Sequence, residues 1–148
     1  MTSVCPLSKG RLASASDDTV CIWELESDNN PYVLNAHTDI VNSVCYLGDR
    51  YLASASHDKT LGIWDMNSRK LLSLLEGHTS PVLSVCYLGD GLLASASWDN
   101  TLRLWDIRRT LNIKVQNRPR SLVGNQQPQS LIKTISRKSQ KNIGSGIH

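Results

Sequence analysis

Phenylalanine is absent from this 148-residue chain, an unusual omission for which the rest of the composition supplies no physical reason. The four cysteines include no C-x-x-C pair, so their spacing gives neither a metal-ligand nor a thiol-redox pattern. No apolar run approaches the roughly 18 residues a membrane span requires, and the opening MTSVCPLSKG is too polar for a signal peptide. Four thiols without such a leader fit a reducing, intracellular setting, most simply the cytoplasm, with the nucleus left open. There is no Gly-x-Ser-x-Gly, no phosphate-binding Gly-rich loop and no His-Glu-x-x-His, which removes the common signatures of hydrolases, nucleotide-binding enzymes and zinc peptidases. Neither a cofactor nor a metal is implied. Acid is missing from the last part of the chain: residues 107–148 hold nine Lys and Arg and no Asp or Glu, whereas residues 1–106 hold 13 acids against 7 bases. The two parts carry −6 and +9 within an overall +3.

What is present is repetition. LASASHDKTLGIWDM (Leu52 to Met66) returns almost letter for letter as LASASWDNTLRLWDI (Leu93 to Ile107), and in shortened form as LASASDDTVCIWEL (Leu12 to Leu25). Trp23, Trp64 and Trp105 stand 41 residues apart, as do His37 and His78. A period of roughly 40 to 45 residues ending in Trp-Asp marks the blades of a β-propeller.

Within one period the polarity alternates as a half-buried sheet requires. Val41 to Leu47, Tyr51 to Ser56, Thr60 to Met66 and Lys70 to Leu75 are short runs rich in β-branched, aromatic or alternating apolar residues, separated by Gly, Asp and Asn turn chemistry. They read as four antiparallel strands, one blade. The same pattern puts blade one at about Ser3 to Asn35, blade two at about Ile40 to Glu76 and blade three at about Pro81 to Gln116, the last closed by a fourth strand at Leu111 to Gln116. As units along the chain these are about 1–36, 37–77 and 78–116. After Gln116 the composition shifts to Asn, Gln, Ser, Pro and Gly, so 117–148 reads as a basic, disordered tail.

The chain resembles the WD-repeat family. The likeness rests on Gly77-His78 and its variant Ala36-His37, the Ser-x-x-x-Asp segments, and the Trp-Asp pairs Trp64-Asp65 and Trp105-Asp106, all in register. It covers about residues 2 to 116 and implies an all-β, partial propeller of about three blades. In that family the loop His, a second-strand Ser, the turn Asp and the third-strand Trp form a hydrogen-bonded tetrad. By motif position this implies His37, Ser54, Asp58 and Trp64 in blade two, and His78, Ser95, Asp99 and Trp105 in blade three. Blade one keeps Ser14, Asp18 and Trp23 but has no His, and lacks one residue between Asp18 and Thr19 relative to Asp58-Lys59-Thr60. The loss has to be taken up in the turn, because a one-residue slip would invert every side chain. The resemblance also places partner contacts on the rim, at Ile40 and Asn42, Pro81 and Leu83, and Asp17, His57 and Trp98. Trp98 breaks the 41-residue register, and a Trp that the fold does not demand is a candidate interface hot spot.

Recurrent Ser, His and Asp invite an enzymatic reading. A catalytic serine must be exposed beside its base and near oxyanion donors, whereas here the trio recurs with a Trp that only donates, which favours a structural network. Cys5, Cys45 and Cys86 share one repeat position, Cys21 stands apart, and all four are expected to pack as small apolar groups. Propellers close with four to eight blades, so three blades predict either a piece of a larger propeller or a unit completed by another copy. The functional expectation is a non-enzymatic scaffold or adaptor with a protein or peptide partner. The alternative is a binder of nucleic acid or anionic surfaces through the basic tail.

Overall fold

The structure, a computed structural model, describes residues 2–35, 37–113 and 130–136. The described chain is all β, in three antiparallel four-stranded sheets. Blade one contains β1 (Ser3–Leu7), β2 (Arg11–Ser16), β3 (Thr19–Glu24) and β4 (Tyr32–Asn35). Blade two contains β5 (Val41–Gly48), β6 (Tyr51–Ser56), β7 (Leu61–Asp65) and β8 (Lys70–Leu75). Blade three contains β9 (Val82–Gly89), β10 (Leu92–Ser97), β11 (Thr101–Asp106) and β12 (Ser130–Ser136). Each sheet runs in chain order from a first strand to an outer fourth strand, and the first strands of successive blades lie beside one another.

The outer strand of blade three differs from the sequence expectation. Leu111 and Asn112 form a turn rather than a strand, with Leu111 N–H bonded to Ile107 O at 2.9 Å and Asn112 at a φ of 56°. The edge of β11 is paired by Ser130–Ser136, from Thr101↔Ser136 to Asp106↔Ser130. SLIKTIS contains the β-branched Ile132, Thr134 and Ile135 but does not alternate apolar and polar residues, and it sits inside a stretch whose composition reads as tail. The blade therefore extends past residue 116, and residues 117–129 and 137–148 of the expected disordered tail lie outside the described residues.

The shortened turn of blade one leaves the register intact. Leu12 pairs with Trp23 as Leu52 pairs with Trp64 and Leu93 with Trp105. The turn takes up the missing residue, with Asp17 at a φ of 48° where the longer turns place Lys59 at 76° and Asn100 at 63°. Asp and Asn tolerate this left-handed region better than most side chains.

Two cores lie between the three sheets. Between blades one and two, Ala13, Ala15, Val20, Ile22 and Leu34 meet Val41, Val44, Leu52, Trp64 and Met66. Between blades two and three, Leu47, Ala53, Ala55, Leu61, Ile63 and Leu75 meet Val82, Val85, Leu93, Trp105 and Ile107. Small alanines on one sheet receive the large indole of the next, so packing is close without phenylalanine. The cysteines depart from the expected burial: Cys5, Cys21 and Cys45 are half-buried and Cys86 is exposed, on a face of blade three that no other sheet among the described residues covers. Burial does push the Cys45 thiol pKa up.

Leu61 is fully buried between blades two and three, whereas Leu72 on the outer strand β8 is exposed. Leu61→Ala is expected to lower the unfolding free energy by about 2 to 5 kcal/mol and Leu72→Ala to stay within about 0.5 kcal/mol of the parent, as read from urea unfolding.

Candidate interaction site

Blades two and three each carry a four-residue hydrogen-bonded chain. Trp64 Nε1–H donates to Ser54 Oγ at 2.8 Å, Ser54 Oγ lies 2.7 Å from His37 Nε2, and His37 Nδ1 lies 2.8 Å from Asp58 Oδ2. In blade three, Trp105 Nε1–H donates to Ser95 Oγ at 2.8 Å, Ser95 Oγ lies 2.7 Å from His78 Nε2, and His78 Nδ1 lies 2.7 Å from Asp99 Oδ2. Proton bookkeeping fixes every role. The carboxylate can only accept, so Nδ1 carries a hydrogen; in a neutral ring Nε2 then accepts, and the serine, which accepts from the donor-only indole, gives its own hydrogen to it.

The electrostatics agree with that assignment. Burial pushes the His78 pKa down, more than the bond and charge of Asp99 push it up, and Arg103 adds to the lowering, so the ring is neutral. Burial alone would raise the Asp99 pKa, yet bonds from the Thr101 hydroxyl, His78 and the backbone N–H groups of Thr79 and Thr101 hold it well below the usual carboxylate range. Asp58 is likewise held low, because Thr60, His37 and Thr38 N–H outweigh burial.

Both carboxylates are clasped from two sides. Thr60 Oγ1–H donates to Asp58 Oδ1 at 2.6 Å and Thr101 Oγ1–H to Asp99 Oδ1 at 2.6 Å, while Thr38 N–H and Thr79 N–H each reach the other oxygen at 3.1 Å. Ser56 and Ser97 donate their hydroxyls to the carbonyls of Asp39 and Ser80, each at 2.9 Å, tying the leading loop to the second strand. These Thr and Ser pairs keep the 41-residue spacing, which is the signal that could have found them. Gly77, at a φ of +150°, leaves room for Arg103, whose Nη1 would stand 2.8 Å from a Cβ placed there.

Blade one holds only part of the chain. Trp23 Nε1–H donates to Ser14 Oγ at 2.9 Å, no His among the described residues continues the line, and Thr19 turns its hydroxyl to the Ser16 carbonyl at 2.9 Å rather than to an Asp. Asp18 makes none of the bonds that Asp58 and Asp99 make among the described residues. Trp23 is 38% exposed where Trp64 and Trp105 are 2% exposed.

The rim residues are brought together unevenly. Asn42 Nδ2–H donates to the Val82 carbonyl at 2.8 Å and lies 2.8 Å from His57 Nδ1, which is thereby the acceptor. The His57 ring meets Trp98 edge to face, with centroids 5.3 Å apart. Trp98 is 60% exposed and its backbone N–H donates to the Pro81 carbonyl at 3.0 Å. Ile40 is exposed and its carbonyl accepts from His57 N–H at 2.8 Å. Asp17 is linked through its carbonyl to Val41 N–H at 2.6 Å, and Leu83 is half-buried on β9 without a bond to the group. Asn42, His57, Trp98, Ile40 and Pro81 thus form one patch across blades two and three.

Ser54 and Ser95 are buried and already bonded on both sides, so neither hydroxyl is placed to attack a substrate. Among the described residues, no group of three His, Cys, Asp or Glu side chains could hold a metal ion. No helix among them is long and apolar enough to cross a membrane.

Asp99→Ala leaves the buried His78 N–H without its acceptor and is expected to cost about 1 to 3 kcal/mol, read as a lower urea midpoint. Both His78 and Asp99 have pKa values below their ordinary ones in the folded chain, so the unfolded chain binds more protons in each window and acidification favours unfolding. Stability is therefore expected to fall as pH drops below about 6.5 and again below about 4. An unfolding midpoint that stays constant from pH 7 to 3 would contradict the assigned protonation.

The family model described as "WD domain, G-beta repeat" matches residues 29–65 and 69–106, together just over half of the chain. No curated protein matches it. The first match runs from β4 through β5, β6 and β7, and the second from β8 through β9, β10 and β11, so each sequence unit begins with the outer strand of the preceding blade. Repeats of this kind generally mediate protein–protein interaction, typically without catalysis. With three repeated sheets, two complete Trp–Ser–His–Asp chains and this match, the chain belongs to the WD-repeat family.

Proposed function

We propose that this chain is a non-catalytic scaffold or adaptor that works inside the cell and holds a protein or peptide partner on the rim patch around Trp98. The observation that carries this reading is the exposure of Trp98, an indole set on the His57 ring and anchored through its backbone to Pro81. A large, rigid, amphipathic side chain held in one place binds at low cost in conformational entropy, and Trp is enriched among interface hot spots. Asn42 spends its amide hydrogens on Val82 and His57, so the patch is preorganised across two blades before any partner arrives. The buried, fully bonded serines support a structural role for the Ser, His and Asp trio over a catalytic one.

A second reading, binding of nucleic acid or an anionic surface, rests on the acid-free, basic composition of residues 107–148. Binding of a DNA duplex of arbitrary sequence that falls steeply with salt would favour it.

The leading reading is tested by identifying proteins captured by the tagged chain and measuring the affinity of the strongest against Trp98→Ala. The variant is expected to lose at least about 2 kcal/mol, roughly thirtyfold in Kd, with its thermal midpoint unchanged. Parental affinity in Trp98→Ala would remove the rim from consideration.

A further inference from the structure

Blades two and three sit on the blade before them in the same way. The face turned toward the preceding blade carries Val44, Trp64 and Met66 in blade two and Val85, Trp105 and Ile107 in blade three, all buried. The receiving face carries Ala13, Ala15, Val20 and Ile22 in blade one and Ala53, Ala55, Leu61 and Ile63 in blade two, again all buried. Among the described residues two such faces are uncovered, one of each kind. On blade one the seating positions are Val4, Trp23 and Leu25, and Val4 and Leu25 are 54% and 61% exposed. On blade three the receiving positions are Ala94, Ala96, Leu102 and Leu104; Leu102 is 48% exposed and the others are half-buried. Leu88 is exposed there, although its counterpart Leu47 is buried.

The geometry points to a second copy of this chain as the occupant of both bare faces. Blade one of each copy seats on blade three of the other, and two equivalent head-to-tail junctions close six blades into a ring, within the range that propellers tolerate. The two faces are complements of each other and neither is its own complement, so a copy of the same chain supplies both missing halves at once. The polar positions continue the series. Val44 N–H donates to Ser3 Oγ at 3.3 Å and Val85 N–H to Ser43 Oγ at 3.4 Å, and the corresponding groups on the bare faces are Val4 N–H and Ser84 Oγ. One rung is lost: Pro6 stands where Tyr46 donates its N–H to Cys5 Sγ at 3.3 Å, and proline has no N–H. Apolar burial therefore dominates the junction between copies, as suits two faces too apolar to stay exposed to water.

Size-exclusion chromatography with light scattering on the 148-residue chain reads the assembly directly. The expected mass is twice that of one chain. Val4→Glu and Leu102→Glu each change a side chain that is exposed within one copy, and each is expected to give the single-chain mass with an unaltered β-sheet circular dichroism spectrum. A monomeric parent chain would overturn the proposal, as would a mass that climbs without limit with concentration, since the ring would not then close. Dissociation by only one of the two variants would mean pairing of like faces and would overturn the head-to-tail arrangement. Trp98→Ala, away from both faces, is expected to keep the doubled mass, so failure of the rim reading and failure of ring closure are separate results.

Discussion

In blades two and three an indole N–H, a serine hydroxyl, an imidazole and a carboxylate are joined in one line of hydrogen bonds, and much of the architecture hangs on it. The Trp lies on the third strand, the Ser on the second, the Asp in the turn between them and the His in the loop that leads in from the preceding blade. One network thus joins two strands, their turn and the connection between sheets. Because each member has a single donor or acceptor role left once its neighbour is fixed, a substitution anywhere along the line leaves a buried polar group unpaired. Blade one shows the partial case. Its Trp–Ser bond is present, and among the described residues no His meets Ser14.

The same residues connect stability to packing. The Trp that ends the polar line is also the large side chain that fills the alanine-lined face of the preceding sheet. Hydrogen bonding and hydrophobic burial therefore fix one rotamer between them. Burial keeps His78 neutral against the pull of Asp99, whereas Asp99 stays ionised in spite of burial because the Thr101 hydroxyl, His78 and two backbone N–H groups donate to it.

Most of the fold was legible in the sequence because repetition carries its own alignment. The period read from Trp, His and the Leu-Ala-Ser-Ala-Ser phrase located eleven of the strands, since residues that recur in register must occupy recurring environments. The outer strand of blade three was not legible. SLIKTIS lacks a strand's strict alternation and follows a long polar stretch, and it is its pairing with β11 that makes it a strand. The exposure of Cys86 was hidden for a related reason: a repeat position reports what a side chain would meet if the next blade were present. At the rim, Trp98 was visible as a break in the period, while its contact with His57 depends on two blades lying side by side.

The sequence unit and the structural blade are out of phase by one strand. β4 closes blade one and leads directly into the loop that carries His37, and β8 closes blade two and leads into the loop of His78. Peeling an outer strand from its sheet would therefore pull the imidazole out of the following blade as well. Mechanical load applied to one sheet is shared with its neighbour through a single covalent connection, so opening of one blade and loosening of the next become a single event, and the cooperative unit of unfolding is larger than any one sheet.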